Sequence, residues 1–495
     1  MTTAVGPVAA ALSEAGLRGL IEPQLARFGV PGVEVVVVRG DEVVFAGGFG
    51  VRDVEAGEPV TPRTVFHHGS TGKAFTGLLV AGLVADGVLE WDRPVREYLP
   101  AFRMPDPSLS DRVTIRDLLS HRSGLGRHDV MWIANPSWSG AELIRRIPHL
   151  AMEGEFRSEF HYCNLGYAVV GEIVADVTGG SWAELVRRRI QEPLGMTGAT
   201  TSVEEMQSLE DHAEPYIGHH DSLARTGYRS LTACAPAGQL MYSAEDSVRW
   251  LRYQAAGGDL DGVRVASPEA FAQTRSIQVP VEYPGFLPEQ PEWGPRMMGY
   301  GMGWMIGSYR HRPIVWHSGG IDGFYTEILI LTDDGAGVLA STNAHLSQLS
   351  TAAVMSVADL LAGAEVRPWF DRVHEMERRV REAEDTERRE LTVVPGTTPS
   401  HPLEDFAGEY EHPGWGSLVV RSGSGTELAV ALGALELATA HRHFDTWTAT
   451  YAPLEVIFPL TFVTDAEGTV AEARAEIDPG SPVAFTRRPE GGDHT

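Results

Sequence analysis

Residues 67–77 have the sequence HHGSTGKAFTG, in which Lys73 follows Ser70 by three positions. From Ser70 to Gly87 the chain, STGKAFTGLLVAGLVADG, is almost wholly apolar after its first turn. This pattern predicts a helix that is buried on all sides and has Gly87 as its C-cap. Residues three apart lie on one face of a helix, so Ser70 and Lys73 are expected side by side. Because desolvating an ammonium group is costly, a buried Lys73 indicates a chemical role.

A serine beside a desolvated lysine is one alternative to the Ser-His-Asp arrangement for nucleophilic catalysis. The helix N-terminus would favour an alkoxide at Ser70, and burial would lower the pKa of Lys73 until it can accept a proton. The other interpretation of Ser-x-x-Lys, which occurs often by chance, is an N-capping serine with a lysine that reaches solvent. A phosphate-binding loop is excluded, because position 67 is His rather than Gly and Ala74 replaces the Ser or Thr that holds Mg²⁺.

Two further motifs, FHYCNLGY at 160–167 and WHSGGIDGF at 316–324, follow the first. Together they give the series Ser-x-x-Lys, Tyr-x-Asn and His-x-Gly, which resembles the three signature motifs of the serine β-lactamase and penicillin-binding-protein superfamily. The Tyr-x-Asn form is similar to the branch of class C β-lactamases, esterases and D-aminopeptidases. The resemblance extends from about residue 15 to 362, over the segments PVTPRTVFHHGSTGKAFTGLLVAGLV, LLSHRSGLGRHD, APAGQLMYSAEDSVRWL and YGMGWMIGSYRHRPIVWHSGGIDGF.

The resemblance implies a serine acyl-enzyme mechanism. Ser70 would be the nucleophile, while Lys73 and Tyr162 would share the general-base and general-acid work as one coupled titration. Cys163 lies between two site residues, and its position in the family's motif implies a buried thiol that points away from the pocket.

The other motif residues would bind the substrate. Asn164 would orient Lys73 and the amide of the substrate. The oxyanion hole of this family uses two backbone N–H groups, which here would be those of Ser70 and Gly320. His317, in the same motif as Gly319 and Gly320, would line the pocket and bind or polarise the substrate.

The resemblance also implies an α/β fold of the β-lactamase/transpeptidase type, with an antiparallel sheet flanked by helices and an all-helical subdomain. The pattern of strand and helix signals along the sequence favours the same architecture. Two β-branched runs within 33–50 predict a hairpin, and strand signals return at 300–343 after a helical middle. Both ends of this domain are therefore expected in one sheet.

We expect three regions along the chain. Residues 1–365 would form the hydrolase domain, 366–400 a charged helix with a Pro/Gly linker, and 401–490 a small all-β domain. Within the last region, FAGEYEHPGWGSLVV and HRHFDTW resemble the lipocalin-like domain attached to many of these hydrolases.

The composition excludes some classes of partner. The formal charge of −27 argues against nucleic acid, and no uncharged apolar stretch approaches the length that spans a bilayer. The N-terminus lacks the basic region of a signal peptide, and the two cysteines, Cys163 and Cys234, fit a reducing compartment. We therefore expect a cytoplasmic protein without a membrane partner.

Histidines occur in three clusters, His67–His68, His219–His220 and His441–His443. None has the HExxH spacing or a cysteine partner, so we expect no metal and no cofactor. The sequence also lacks Gly-x-Ser-x-Gly, which excludes an α/β-hydrolase.

The favoured function is a hydrolase that cleaves esters or small peptide amides, often of D-amino acids, through an acyl-enzyme. β-Lactamase activity would be a side reaction, since His317 stands where related enzymes carry a charged lysine for the substrate carboxylate.

Two alternatives remain open. One is a penicillin-binding-protein-type thioesterase, which releases and macrocyclises a linear nonribosomal peptide delivered by a carrier protein. A basic group would then hold the carboxylate of the attacking chain, and Arg442 is the candidate. The other is a non-catalytic sensor or scaffold, which the presence of Ser70, Lys73 and Tyr162 disfavours.

Overall fold

The computed structural model describes residues 7–218, 223–281, 294–390, 393–423, 427–451, 456–477 and 482–489. The strands, in chain order, are β1 (Gly32–Arg39), β2 (Glu42–Asp53), β3 (Glu58–Pro59), β4 (Phe66–His67), β5 (Tyr216–Ile217), β6 (Ala224–Arg225), β7 (Met241–Tyr242), β8 (Val279–Pro280), β9 (Arg296–Tyr300), β10 (Met305–Tyr309), β11 (Arg312–Ile321), β12 (Phe324–Leu331), β13 (Ala336–Thr342), β14 (Gly408–His412), β15 (Gly416–Ser422), β16 (Leu428–Leu432), β17 (Leu435–His443), β18 (Thr446–Tyr451), β19 (Val456–Thr464), β20 (Val470–Ala475) and β21 (Val483–Arg487).

The α-helices are α1 (Pro7–Ala11), α2 (Glu14–Phe28), α3 (Lys73–Ala85), α4 (Val95–Tyr98), α5 (Ile115–Leu119), α6 (Asp129–Ile133), α7 (Gly140–Arg146), α8 (Asn164–Thr178), α9 (Trp182–Val186), α10 (Glu192–Leu194), α11 (Val203–Ser208), α12 (Ala244–Ala255), α13 (Pro268–Thr274), α14 (Leu349–Leu361), α15 (Trp369–Glu390) and α16 (Leu403–Phe406). Short 3₁₀ segments cover Gly69–Gly72, Pro107–Leu109, Ile147–His149 and Thr232–Ala237, and Arg187–Gln191 is a π-helical turn.

One antiparallel sheet forms the centre of the larger domain, in the order β3-β2-β1-β13-β12-β11-β10-β9-β8. β1 pairs with β13, so that Val33 faces Thr342 and Arg39 faces Ala336. This pairing confirms that strands from both ends of the domain share one sheet. The continuous valine run of β1 is explained by burial on both faces of the sheet, as in other central strands.

Helices cover both faces of this sheet. Alternate residues of β1 enter two different cores: Val35 and Val37 pack with α2 and α14, whereas Val36 and Val38 pack with the core that includes α3. The helices between α4 and α11 extend this second core into a helical subdomain. The predicted α/β fold with flanking helices is therefore confirmed.

The predicted helix after Ser70 begins one turn later than the sequence pattern indicated. Residues Gly69–Gly72 form a 3₁₀ turn, and α3 starts at Lys73. Ten residues of the helix after Lys73 are buried, which confirms that the helix is buried on all sides. Its C-cap is Asp86, and Gly87 follows with φ +72°.

The C-terminal region is a closed barrel of eight strands, β14 to β21. It contacts the helical subdomain through the main-chain hydrogen bond from Ala434 N–H to Ala134 O (2.7 Å). Asn135 Nδ2 also donates to Trp415 O (3.3 Å). A small all-β domain at this end of the chain is therefore confirmed, and it lies against the domain that carries the three motifs.

Candidate active site

Ser70 lies in a tight turn between β4 and α3. β4 pairs with β7, and the N–H of His68 donates to Leu240 O (3.0 Å), which anchors the turn to the segment before β7. Gly69 has φ +52°, a conformation that glycine adopts without steric cost. The turn thus presents Ser70 at the N-terminus of the buried helix α3.

The backbone of the third motif approaches this turn closely. A Cβ atom on Gly319 would lie 2.1 Å from His68 O and 2.8 Å from the backbone N of Ser70. A Cβ atom on Gly69 would lie 3.1 Å from the backbone N of Gly320. Glycine is therefore required at 319 and 69, and the two predicted oxyanion-hole residues, Ser70 and Gly320, lie on adjoining segments of backbone.

Lys73 is completely buried behind Ser70. Its Nζ atom lies 3.0 Å from Ser70 Oγ and donates a hydrogen bond to Ala237 O (2.8 Å). Burial lowers the pKa of Lys73 to about 7; nearby Asp129 opposes this effect and Arg127 adds to it. At neutral pH a large fraction of Lys73 is therefore a neutral amine within reach of the serine proton.

Tyr162 covers the Lys73 amine from the cavity side. Its ring centroid lies 4.7 Å from Lys73 Nζ and 5.3 Å from the Cζ atom of Arg127. Burial raises the pKa of Tyr162, whereas a hydrogen bond with Ser70 and the charge of Arg127 lower it. The net rise keeps the phenol protonated, so Tyr162 can donate a proton next to Ser70.

Asn164 begins α8 and is held by Asp129 at the start of α6. Asn164 Nδ2 donates to Asp129 Oδ1 (2.8 Å), and Arg127 Nε donates to Asp129 Oδ2 (2.5 Å). The buried Oδ1 atom of Asn164 has no hydrogen-bond partner among the described residues. The expected contact with Lys73 is not among the hydrogen bonds described for that residue.

His317 is buried on β11 and uses both of its ring nitrogens. Nδ1–H donates to Ser318 O (2.6 Å), and Nε2 accepts from the hydroxyl of Tyr300 (2.9 Å). Burial, with the charge of Lys73, lowers the pKa of His317 to about 3. His317 is therefore a neutral group with a fixed tautomer at physiological pH.

These residues open onto one cavity of ≈ 580 Å³. Its wall includes five of the predicted residues, Ser70, Tyr162, Asn164, His317 and Gly320. The apolar part of the wall comes from Val130, Trp132, Ile133, Leu231, Met305, Trp316, Ile321, Tyr325, Leu346 and, from the barrel, Val456. A more open groove of ≈ 1130 Å³ elsewhere on the larger domain has none of the predicted site residues in its wall.

Three predicted residues are not in the cavity wall, and one of them is Lys73, which is buried behind Ser70. Gly319 lies behind it, against the Ser70 turn. Arg442 lies on β17 of the barrel and is not among the residues that line the cavity. The guanidinium groups on the wall belong instead to Arg127 and Arg229.

Sequence reasoning assigned no role to four charged residues of this wall. Arg127 and Asp129 stand within LLSHRSGLGRHD, a segment that carried the family resemblance, so their signal was present. Arg229 donates to Asp322 Oδ2 (2.7 Å), and these two residues are 93 positions apart. A pair so distant in sequence has no local pattern that could reveal it.

No group of three or more possible metal ligands occurs in the described part of the chain. His219 and His220 lie outside that part. Within the same described ranges, no helix has the length and apolar character needed to cross a membrane.

Residues 17–362 match the model of the Beta-lactamase family, and residues 392–487 match a family described as Domain of unknown function (DUF3471). The Unguisins hydrolase ungD' of Aspergillus campestris is 28% identical, over 81% of this chain and 76% of that protein. Penicillin-binding protein 4 of Amycolatopsis lactamdurans is 30% identical, over 63% of this chain and 80% of that protein.

A solved structure, the octameric penicillin-binding protein homologue from Pyrococcus abyssi, has the same fold. It superposes with a TM-score of 0.63 at 22% identity, covering 95% of this chain and 99% of that one. The family match extends over more than half of the chain and includes all three motifs. The chain therefore belongs to the Beta-lactamase family, as a serine hydrolase of the penicillin-binding-protein type.

Proposed function

We propose that the protein cleaves peptide amides or esters through an acyl-enzyme formed on Ser70. The observation that carries this proposal is the buried amine of Lys73, 3.0 Å from Ser70 Oγ, with its pKa lowered to about 7. A relative named a hydrolase, at 28% identity, supports water as the final acceptor.

In the first half of the reaction, the neutral Lys73 amine takes the proton of Ser70 while Oγ attacks the carbonyl carbon. The N–H groups of Ser70 and Gly320 stabilise the resulting oxyanion. The C–N or C–O bond then breaks, and the protonated Tyr162 phenol gives its proton to the leaving amine or alcohol. Lys73 returns its proton to Tyr162, which leaves a neutral amine and an ester on Ser70.

In the second half, a water molecule gives a proton to the same amine and attacks the ester carbonyl. The bond to Ser70 Oγ breaks, and the serine recovers a proton from the Lys73–Tyr162 pair. The products are a free acid and the starting enzyme, so one water is consumed in each cycle.

The cavity favours an acyl group with an apolar side chain. Trp132, Ile133 and Leu231 form apolar wall, and the neutral His317 supplies no fixed charge for a carboxylate. The free Oδ1 of Asn164 would accept an N–H of the substrate's amide. We therefore propose small peptides or amides with an apolar residue, including D-residues, at the bond that is cleaved.

The test is turnover of D- and L-phenylalanine p-nitroanilide, with mass spectrometry of the intact protein during the reaction. The wild-type protein should gain the mass of the acyl group, and Ser70→Ala should neither gain mass nor turn over. Ser13→Ala, at the exposed N-cap of α2, is the matched serine control. Unchanged turnover in Ser70→Ala would refute the mechanism.

A second candidate is the thioesterase that macrocyclises a peptide. Arg127 and Arg229 place two guanidinium groups on the cavity wall, and either could receive the carboxylate of an attacking chain. Each arginine is paired with a carboxylate, Arg127 with Asp129 and Arg229 with Asp322. Arg127 is the better candidate, because its side chain is 64% exposed and that of Arg229 only 15%.

The two functions differ in the product from a linear peptide thioester with a D-residue at its activated end. A free acid identifies water as the acceptor, and a product lighter by one water identifies the peptide's own amine. If the protein is such a cyclase, a carrier protein would deliver the peptide thioester.

We also propose that the chain is organised in three regions and that the protein is cytoplasmic. The hydrolase domain would end near residue 365 and the barrel domain would occupy 401–490, joined by the charged linker. The thiols of Cys163 and Cys234 are both free and buried, which supports a reducing, cytoplasmic location.

A further inference from the structure

A buried carboxyl group lies behind the turn that carries Ser70. Glu34, on β1, is 1% exposed. The hydroxyl of Ser247 on α12 lies 2.6 Å from its Oε1 atom, while Oε2 has no hydrogen-bond partner among the described residues. Oε2 lies 3.6 Å from Nε2 of His68, also fully buried. None of the catalytic steps proposed above uses Glu34 or His68.

His68 connects this carboxyl to the nucleophile turn. Its Nε2–H donates to Tyr242 O (3.0 Å), and its ring stacks on Tyr242 with centroids 3.6 Å apart and planes 7° apart. Its carbonyl oxygen accepts from the hydroxyl of Thr71 (3.0 Å). The side chain of His68 thus fixes one end of the turn to β7, and its main chain holds the residue that follows Ser70.

We propose that Glu34 and His68 are positioning residues that hold the Ser70 turn in register with Lys73. Neither residue touches the substrate. In the neutral form, the Oε1 hydroxyl of Glu34 donates to Ser247 and the Oε2 carbonyl faces the Nε2–H of His68. This inference rests on the proposed role of Ser70 as nucleophile.

The surroundings of Glu34 make its protonation state sensitive to pH. The groups that face it are Ser247 and Asp246 from α12, His68 from the turn and, through His68, Tyr242 from β7. Burial, with the charge of Asp246, raises the pKa of Glu34 to about 8. Burial lowers the pKa of His68 to about 3, so His68 cannot become a cation that would compensate the carboxylate.

Loss of the Glu34 proton therefore places a carboxylate, whose charge no cation compensates, next to the Nε2–H of His68. This carboxylate competes with Tyr242 O for the hydrogen bond from Nε2–H. The turn then shifts relative to Lys73, whereas the apolar wall of the cavity is unaffected. We expect kcat to fall about tenfold for each pH unit above 8, with KM nearly constant.

Glu34→Gln tests this expectation, because its amide keeps the shape and can donate to Ser247 but cannot ionise. Its kcat should match that of the wild-type protein at pH 7.5 and show no fall between pH 8 and 9.5. Rapid hydrolysis of a p-nitrophenyl ester is the assay, and thermal melting at pH 7.5 and 9.5 verifies that each variant is folded.

Glu327→Gln is the matched control. Glu327 is also buried with its pKa raised to about 8, but it lies on β12 and contacts Trp316, Tyr325 and Thr351 instead of the turn. It should retain the alkaline fall in kcat. If Glu34→Gln also retained that fall, or if Glu327→Gln abolished it, the positioning role would be overturned.

His68→Phe gives an independent measurement if Glu34→Gln does not fold. It preserves the stacking on Tyr242 but removes the Nε2–H donor, so kcat should drop about tenfold or more at pH 7.5 with KM unchanged. An unchanged kcat in this variant would overturn the proposal. Failure of the proposed function itself is distinguishable, since Ser70→Ala would then hydrolyse the ester as fast as the wild-type protein.

Discussion

The amine of Lys73 and the hydroxyl of Ser70 lie 3.0 Å apart, and the amine is shut off from solvent by the Tyr162 ring on one side and the Ala237 carbonyl on another. This arrangement costs stability, because the folded protein must hold a lysine where its charged form is disfavoured. In the proposed mechanism, the burial that causes this cost also makes Lys73 a base at neutral pH.

Replacement of Lys73 should therefore separate activity from stability. Lys73→Met should abolish acylation, yet its melting temperature at pH 6 should exceed that of the wild-type protein. The pKa of Lys73 falls from 10.5 to about 7 on folding. Between these two pH values the unfolded chain thus binds more protons than the folded protein. The destabilisation caused by burying Lys73 is therefore complete below pH 7 and vanishes toward pH 10.5. The gain at pH 6 should be on the order of a few kcal/mol, and melting curves at pH 6 and 10 would measure it. Equal melting temperatures at pH 6 would contradict a desolvated lysine.

The rate of acylation should rise with pH through the titration of Lys73. Only the neutral amine can accept the proton of Ser70, so kcat/KM should increase up to an apparent pKa near 7. Tyr162→Phe should preserve this acid limb and lower the rate by about 10²–10³, because the proton donor to the leaving group is lost. A pH–rate profile of both proteins would measure this; disappearance of the acid limb in Tyr162→Phe would identify the titrating group as Tyr162.

Gly319→Ala should inactivate the protein. The added Cβ would meet His68 O at 2.1 Å and the backbone N of Ser70 at 2.8 Å, and neither backbone segment can move without displacing the nucleophile. We expect loss of acylation together with a lower melting temperature. Gly19→Ala, within helix α2 and with no atom inside 4 Å of its Cβ position, is the matched control and should be neutral or slightly stabilising.

Asp129→Ala should impair substrate binding more than it impairs the function of Lys73 as a base. Asp129 fixes the amide of Asn164 and the guanidinium of Arg127, so its loss frees two cavity groups at once. We expect KM to rise about tenfold, and the pKa of Lys73 to fall because a nearby negative charge is removed. The acid limb of the pH profile should therefore move to lower pH, a shift that a purely structural defect would not produce.

Arg127→Ala and Arg442→Ala should differ with substrates that carry a free carboxylate. Arg127 is on the cavity wall and Arg442 is not. Arg127→Ala should raise KM for a peptide acid but not for the corresponding peptide amide, while Arg442→Ala should leave both values unchanged. Steady-state kinetics with a matched acid and amide pair would decide, and a selective effect of Arg442→Ala would indicate that Arg442 itself reaches the substrate.

The sequence predicted those features whose residues carry a local signal. The spacing of Ser70 and Lys73 and the apolar run behind them placed a lysine inside the protein, and burial of Lys73 agrees with this. The β-branched runs predicted the joined sheet because strand pairing follows from the hydrophobic pattern. The motif order placed Tyr162 and His317 near the serine, and both are in the cavity wall.

Features that depend on tertiary packing were not predictable. The amide of Asn164 is oriented by Asp129 on another helix, which accepts a hydrogen bond from Nδ2. The oxygen of the same amide is left without a partner among the described residues. Arg229 and Asp322 meet only because distant loops converge. The position of Arg442 depends on how the barrel docks on the helical subdomain, and no pattern within β17 specifies that docking.

The pairing of β1 with β13 has a consequence for the order in which the enzyme is built during synthesis. β1 ends at Arg39, but its neighbour on one side, Ala336–Thr342, leaves the ribosome about 300 residues later. Until then the valines of β1 lack half of their partners, and the segment with His317 and Gly319 has not reached the Ser70 turn. The turn of the proposed nucleophile therefore stays incomplete through most of translation, and the chain should form no acyl-enzyme before the whole larger domain has been synthesised.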